Sequence, residues 1–212
     1  MVMAEREFDV IVWGATGFTG KLVVEYLDAT YGVGGELRWA IAGRNRDKLE
    51  AVRRECAASG AAADLPIVEA DSADRASLDA MVARTRVICT TVGPYALYGT
   101  GLVAACAAAG TDYCDLTGEV QWMAQVIPEY QAAARESGAR IVHTCGFDSV
   151  PFDMGVFYLQ QLMQERHGTT ATQVKGRVVG SRGGASGGTI ASMLPQSPFY
   201  DPAAARDSYE QL

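Results

Sequence analysis

The chain has 212 residues, of which 49% are hydrophobic and 20% charged, the balance of a globular protein with room for one large domain or one domain and part of another. A net charge of −7 argues against a general nucleic-acid partner, which needs a basic surface. Five cysteines, an odd number with no CxxC spacing and only two histidines to join them, argue against a disulfide framework and against a zinc site.

Near the N-terminus the apolar stretch from Val10 to Trp13 is too short for a secretory signal, and no run later in the chain is long enough to span a bilayer. A cytoplasmic protein with no metal and no transmembrane segment is the expectation. Residues 8–13 read as the first strand and 19–29 as the first helix. Between them stands Gly14-Ala15-Thr16-Gly17-Phe18-Thr19-Gly20. Its first glycine permits a tight turn after a strand, the second lets backbone N–H groups approach a pyrophosphate, and the third allows helix and strand to pack closely. Gly14, Ala15, Thr16, Gly17, Phe18 and Gly20 are therefore candidate dinucleotide contacts. The alternative is a glycine-rich turn with no ligand.

A second strand over 37–42 ends in Gly43-Arg44-Asn45-Arg46, and a helix follows over 46–58. Sites that prefer NAD place Asp or Glu here for the ribose 2′-hydroxyl, whereas this chain offers arginines suited to a 2′-phosphate. NADP(H) is the expected cofactor, with Arg44 as its reader and Asn45 both a candidate contact and a helix cap. The alternative is that both arginines are simply solvated. The third strand, 66–70, leads to Asp71, which can lie beside an adenine or cap the helix over 73–84; Ser72 and Asp74 are further caps. After the fourth strand, 87–91, the segment Thr91-Val92-Gly93-Pro94-Tyr95 must pass close to the cofactor, which makes Thr91, Gly93 and Tyr95 candidate contacts.

Helices over 101–109, 120–137 and 151–166 alternate with strands over 113–116 and 140–144, and Pro128 is expected to kink or restart its helix. Nearly continuous apolar strands alternating with helices give an α/β fold, a Rossmann-type doubly wound parallel sheet. Past residue 167 a strand over 172–179, a glycine-rich loop, a short helix from Thr189 and a polar tail over 195–212 read as the beginning of something else. An unpaired edge at 172–179 would invite aggregation or pairing with a second copy.

The glycine loop, the Ala42-Gly43-Arg44 turn, Thr91-Val92-Gly93-Pro94-Tyr95, Thr117-Gly118-Glu119, Cys145-Gly146-Phe147-Asp148-Ser149-Val150-Pro151 and the loop 183–189 together resemble the saccharopine dehydrogenase-like oxidoreductases, within them the bacterial trans-acting enoyl reductases. That resemblance implies an NADP(H)-binding Rossmann domain over 1–166. It further implies that 167–212 opens an α+β substrate domain, truncated here because family members run to about twice this length. It implies reduction of an acyl-thioester or other small-molecule substrate of lipid or polyketide type, with peripheral membrane association as a family analogy. A saccharopine-type amino-acid dehydrogenase and a non-catalytic dinucleotide sensor are the competing readings. Asp148 and Ser149, at the end of the sixth strand, are candidate catalytic residues or caps of the next helix, and Tyr98 is a candidate proton donor. His143, inside an apolar strand, reads as a hydrogen-bonded core histidine.

Overall fold

The apolar runs assemble into one sheet in the computed structural model, which describes residues 5–57, 64–180, 183–184 and 187–193. The strands are β1 (Phe8–Trp13), β2 (Trp39–Gly43), β3 (Ile67–Glu69), β4 (Thr85–Thr90), β5 (Asp112–Asp115) and β6 (Ile141–Val142). All pair in parallel, in the order β3-β2-β1-β4-β5-β6. The helices are α1 (Phe18–Tyr31), α2 (Arg46–Ala57), α3 (Arg75–Val82), α4 (Tyr95–Tyr98), α5 (Thr100–Ala109), α6 (Val120–Ser137), α7 (Val150–His167) and α8 (Gly187–Met193). The doubly wound parallel fold expected from the alternation is the one observed.

Period-two alternation divides the core between the faces of the sheet. On β1 and β2, Ile11, Trp13, Ala40 and Ala42 pack toward α3, α5 and α6, while Val12, Trp39 and Ile41 pack toward α1 and α2. Arg6 ties two helix ends together, donating to the carbonyl oxygens of Val82 and Ala109 at 2.9 and 2.8 Å. The second face is covered unevenly. Val12, Cys89, Cys114 and Val142 lie in register across β1, β4, β5 and β6, yet Val12 is fully buried and Val142 is 51% exposed. Helix α7, with Val150, Phe152, Met154, Val156, Phe157 and Leu159 in its first half, buries none of its residues.

Several expectations need correction. Helix α6 does not restart at Pro128 but runs through it as one element. A proline removes one intrahelical bond, and Trp122, Val126 and Ala134 bury enough apolar surface to hold the helix together across it. Asp74, not Ser72, caps α3, accepting from the Ala76 N–H at 3.0 Å. Residues 172–179 form no strand, because no neighbouring strand pairs with them; Val179 is 99% exposed. The ground for expecting edge pairing there falls with it. Helix α4 was not foreseen. The tail over 195–212 and much of the loop 181–188 lie outside the described residues.

Carboxylates pin the amino ends of the strands. Glu7 pairs with Arg84 at 2.7 Å, Asp9 with Arg38 at 3.2 Å, and Asp112 accepts from Arg140 Nε at 2.9 Å. Hydrogen bonds from Arg84 and Arg38 hold the Glu7 and Asp9 carboxyls below the usual range. Partial burial pulls Asp112 upward, but its bonds to Arg140 outweigh this and leave it lowered. A carboxyl whose pKa is lowered on folding adds stability above its unfolded value and loses it as pH falls through the native one. Urea melts are therefore expected to show stability falling steadily as pH drops below about 4. Equal midpoints from neutral pH to about pH 3 would count against these pairs.

Candidate functional site

The strand order reverses at β1, which has β2 on one side and β4 on the other, so a crevice opens at the carboxyl ends of these strands. The glycine loop forms its floor. Gly14 adopts φ +91°, and a Cβ there would lie 2.6 Å from Val92 Cγ2 and 3.0 Å from Thr91 Oγ1. Its carbonyl accepts from the Gly17 N–H at 3.0 Å and from Thr91 Oγ1 at 3.2 Å. Thr91 is joined to β1 a second time by its N–H to Trp13 O at 3.0 Å. A Cβ on Gly20 would fall 2.1 Å from Gly14 O, so α1 sits as close to the loop as only glycine permits. Helix α1 starts at Gly17 with no side-chain cap, which leaves the first-turn N–H groups of Phe18, Thr19 and Gly20 without intrahelical acceptors. That is the arrangement that binds phosphate.

A cavity of about 370 Å³ stands over this turn. Gly14, Thr16, Gly17, Phe18, Arg44, Thr91, Gly93 and Tyr98 all line it, joined by Trp13, Thr19, Gly43, Ser72 and Val92. Arg44 is exposed at the end of β2 and forms no ion pair among the described residues. The other guanidinium is occupied, since Arg46 binds Glu69 at 2.7 Å and Glu50 at 3.6 Å. Arg44 thus lines the cavity with no ion pair among the described residues, and the residues present fit a 2′-phosphorylated dinucleotide.

Four cofactor candidates are not on the cavity wall, besides Gly20, which acts through packing. Ala15 is fully buried beneath α1 and α2. Asn45 caps α2, accepting from the Lys48 N–H at 2.9 Å. Asp71 closes its own turn by accepting from the Ala73 N–H at 2.9 Å, and Ser72 takes its place on the wall. Tyr95 is the clearest correction. It is 3% exposed, stacks on Trp122 and donates its hydroxyl to Thr90 O at 3.3 Å. Burial, then the neighbouring Asp115 carboxylate, pushes its phenol far up, and its side chain packs into the core instead of lining the cavity. Tyr98, one turn later on α4, is the tyrosine that reaches the cavity.

What holds α4 in place escaped sequence reading. Glu119 is buried, and its carboxylate accepts from the Tyr95 and Ala96 N–H groups, each at 2.8 Å. Upstream, Asp115 is the hub of a buried network. Its Oδ2 accepts from the Tyr113 hydroxyl at 2.8 Å and lies 2.6 Å from His143 Nδ1. Its Oδ1 accepts from the N–H groups of Thr117 and Thr144 at 3.0 and 2.9 Å. Thr117 Oγ1 in turn accepts from the Glu119 N–H at 3.1 Å, so one hydrogen-bonded path runs from β6 to α4. His143 is thus a bonded core histidine. The only sign of Glu119 in the sequence was its place in the Thr117-Gly118-Glu119 segment.

Asp148 and Ser149 are not brought into the cavity. Asp148 is exposed, and Ser149 occupies the cap position of α7 without a side-chain cap bond, with Pro151 in the first turn of that helix. Neither the capping nor the chemical role finds a partner among the described residues.

Residues 10–142 match the family described as the saccharopine dehydrogenase NADP binding domain. A trans-acting enoyl reductase of Mycobacterium tuberculosis is 49% identical over 159 residues, 75% of this chain and 37% of that one. A trans-acting enoyl reductase of Mycobacterium ulcerans is 43% identical over 210 residues, 97% of this chain and 49% of its own length. The chain therefore spans about half the length of the curated relatives it matches. Among solved structures, apo saccharopine dehydrogenase (L-Glu forming) from Saccharomyces cerevisiae superposes with a TM-score of 0.56 at 18% identity, covering 76% of this chain and 31% of that one. At that identity the likeness speaks to the fold.

Proposed function

Because the chain belongs to the saccharopine dehydrogenase NADP-binding family, we propose that it is the cofactor-binding part of an NADP(H)-dependent enoyl reductase acting on α,β-unsaturated acyl thioesters of lipid or polyketide type. When bound, NADPH supplies the two electrons and the hydrogen of the reduction. The observation that carries the reading is the cavity over the glycine loop, with an arginine that forms no ion pair among the described residues standing where an NAD site would place an acid. In this proposal the first-turn N–H groups of α1 hold the pyrophosphate, Arg44 holds the 2′-phosphate, and Thr91 and Gly93 set the near wall. Tyr98, on that wall, is the group assigned to handing a proton to substrate. Residues 1–166 form the dinucleotide domain and 167–212 open the substrate domain. No described helix is long and apolar enough to cross a membrane; the proposal places the protein in the cytoplasm.

Two measurements test this. NADPH titrations of the wild type and of Arg44→Ala, followed by nicotinamide fluorescence, are expected to show roughly tenfold to hundredfold weaker NADPH binding in the variant. NADH binding should be unchanged. Equal loss for both cofactors would remove Arg44 as the phosphate reader. Turnover, measured on the intact protein with its complete substrate domain, is read as NADPH oxidation with crotonyl-coenzyme A, against 2-oxoglutarate plus an amino acid. Oxidation with the enoyl thioester alone supports the proposal. Oxidation with the oxo acid alone favours an amino-acid dehydrogenase, and binding without turnover on either favours a dinucleotide sensor.

A further inference from the structure

Three of the five cysteines gather toward the unevenly covered face of the sheet. Cys89 on β4 and Cys114 on β5 are direct partners in the parallel register, so their side chains leave the sheet on the same side. Neighbouring strands stand about 4.8 Å apart, within the 4.4–6.8 Å that a disulfide needs between Cα atoms. A hydrogen bond already joins the two thiols. Cys145 follows β6, its N–H donating to Asp115 O at 2.6 Å and its thiol turned to the carbonyls of Val142 and His143 at 3.6 and 3.8 Å. Helices α1 and α2 seal Val12 at the other end of this row, but that cover thins toward β6. Cys89 and Cys114 are half-buried, and Cys145 and Val142 are exposed, so a solute the size of water reaches the pair.

The two thiols are not equivalent. Cys114 precedes the buried Asp115 carboxylate, keeps its hydrogen and donates it to Cys89; that bond, then burial, pushes the Cys114 thiol up. The same bond pulls the Cys89 thiol below its ordinary value against the opposing effect of burial. Thiolate character is what makes a cysteine attack an electrophile, and here it falls to Cys89 with a second thiol in contact. The remaining cysteines lack that help. Burial pushes the thiols of Cys56, Cys106 and Cys145 up, and neighbouring acids push them further.

We propose that Cys89 and Cys114 form a reversible thiol–disulfide site, separate from the dinucleotide crevice, whose oxidant is hydrogen peroxide. The Cys89 sulfur attacks one peroxide oxygen; an S–O bond forms, the O–O bond breaks, and the departing hydroxide takes the Cys89 proton and leaves as water. Cys114 then attacks the Cys89 sulfenic acid; the S–S bond forms, the S–O bond breaks, and a second water carries off the Cys114 proton. The two sulfurs together give two electrons to the peroxide.

The test treats the reduced 212-residue chain with hydrogen peroxide, then blocks the remaining thiols with iodoacetamide in urea. Chymotrypsin, which cuts after Tyr95 and Tyr113, puts Cys89, Cys106 and Cys114 on separate peptides for mass analysis. The expected product is a single chain that has lost two of its five thiols, with a Cys89–Cys114 cross-link that dithiothreitol reverses. Cys89→Ser should abolish the cross-link. Cys145→Ser, at an exposed position, should fold normally and form the same cross-link at a rate within about twofold of the wild type. No cross-link in the wild type, a cross-link through Cys145, or one that forms only when the oxidation itself is run in urea would each overturn the proposal.

Discussion

Replacing Gly20 by alanine is expected to destabilise the domain by about 3 kcal/mol or more and to abolish NADPH binding, at the severe end of what one added methyl group does. The added Cβ would lie 2.1 Å from Gly14 O, 2.8 Å from Gly14 C and 2.9 Å from Ala15 Cα. All three are backbone atoms, so no rotamer change relieves the contact. Nor is the loop free to retreat. Gly14 O holds the Gly17 N–H and Thr91 Oγ1, and Gly14 itself is wedged against Val92. Helix α1 would have to lift off β1, exposing Val24 and Leu27 and moving the N–H groups that face the crevice. Gly17→Ala is the control. Its Cβ would stand 3.4 Å from Gly14 O, an ordinary contact, at φ −78°. That variant should keep its stability to within about 1 kcal/mol, the difference between glycine and alanine at a helix cap. Urea melts and NADPH titrations of both variants decide the matter. A Gly20→Ala protein as stable and as tight-binding as the wild type would show that the loop yields where the structure says it cannot.

The positions that sequence reading placed correctly are those where local chemistry admits one answer. Gly14 and Gly20 are glycines because a positive φ and a backbone contact exclude any Cβ, and Val10–Trp13, β2 and Val87–Cys89 are uninterrupted apolar runs in the middle of the sheet. Arg44 was legible for a similar reason, being a cation immediately after a strand that ends at the crevice. Tyr95 and Tyr98 show the limit. They share the same four-residue helix, and nothing in the sequence tells which phenol turns inward onto Trp122 and which faces the cavity. Helix α4 itself is too short for periodicity to register, and Pro94 and Gly99 flank it like a loop. Residues 172–179 carry the β-branched pattern of a strand, but a strand exists only by pairing, and pairing is a property of the whole sheet. Asp115 and Glu119 were missed because their partners stand 28 and 24 residues away, at His143 and Tyr95.

Those long-range acids make the other large prediction. Asp115→Ala is expected to lower stability by about 3–5 kcal/mol, the range for removing one member of a buried charged network. The substitution leaves the Tyr113 hydroxyl, His143 Nδ1–H and the Thr117 and Thr144 N–H groups without their acceptor, all in surroundings that admit little water. It also frees a strained residue. Thr144 is β-branched yet sits at φ +61°, held there by the Asp115 carboxylate on its own N–H and by the Asp115 carbonyl on the next, at 2.6 Å. Asp115→Asn separates geometry from charge. Its amide oxygen can keep the two backbone bonds, but its NH₂ group meets His143 Nδ1 as a donor, so the imidazole must move its hydrogen to Nε2. The expected result is a loss about half that of alanine, together with exchange of the Nδ1 and Nε2 ¹⁵N positions of His143. Because Thr117 links Asp115 to Glu119, and Glu119 holds the first N–H groups of α4, NADPH affinity should fall in Asp115→Ala along with stability. An alanine variant within about 1 kcal/mol of the wild type in urea melts would mean that the network is ornamental and that the end of β6 is held by packing alone.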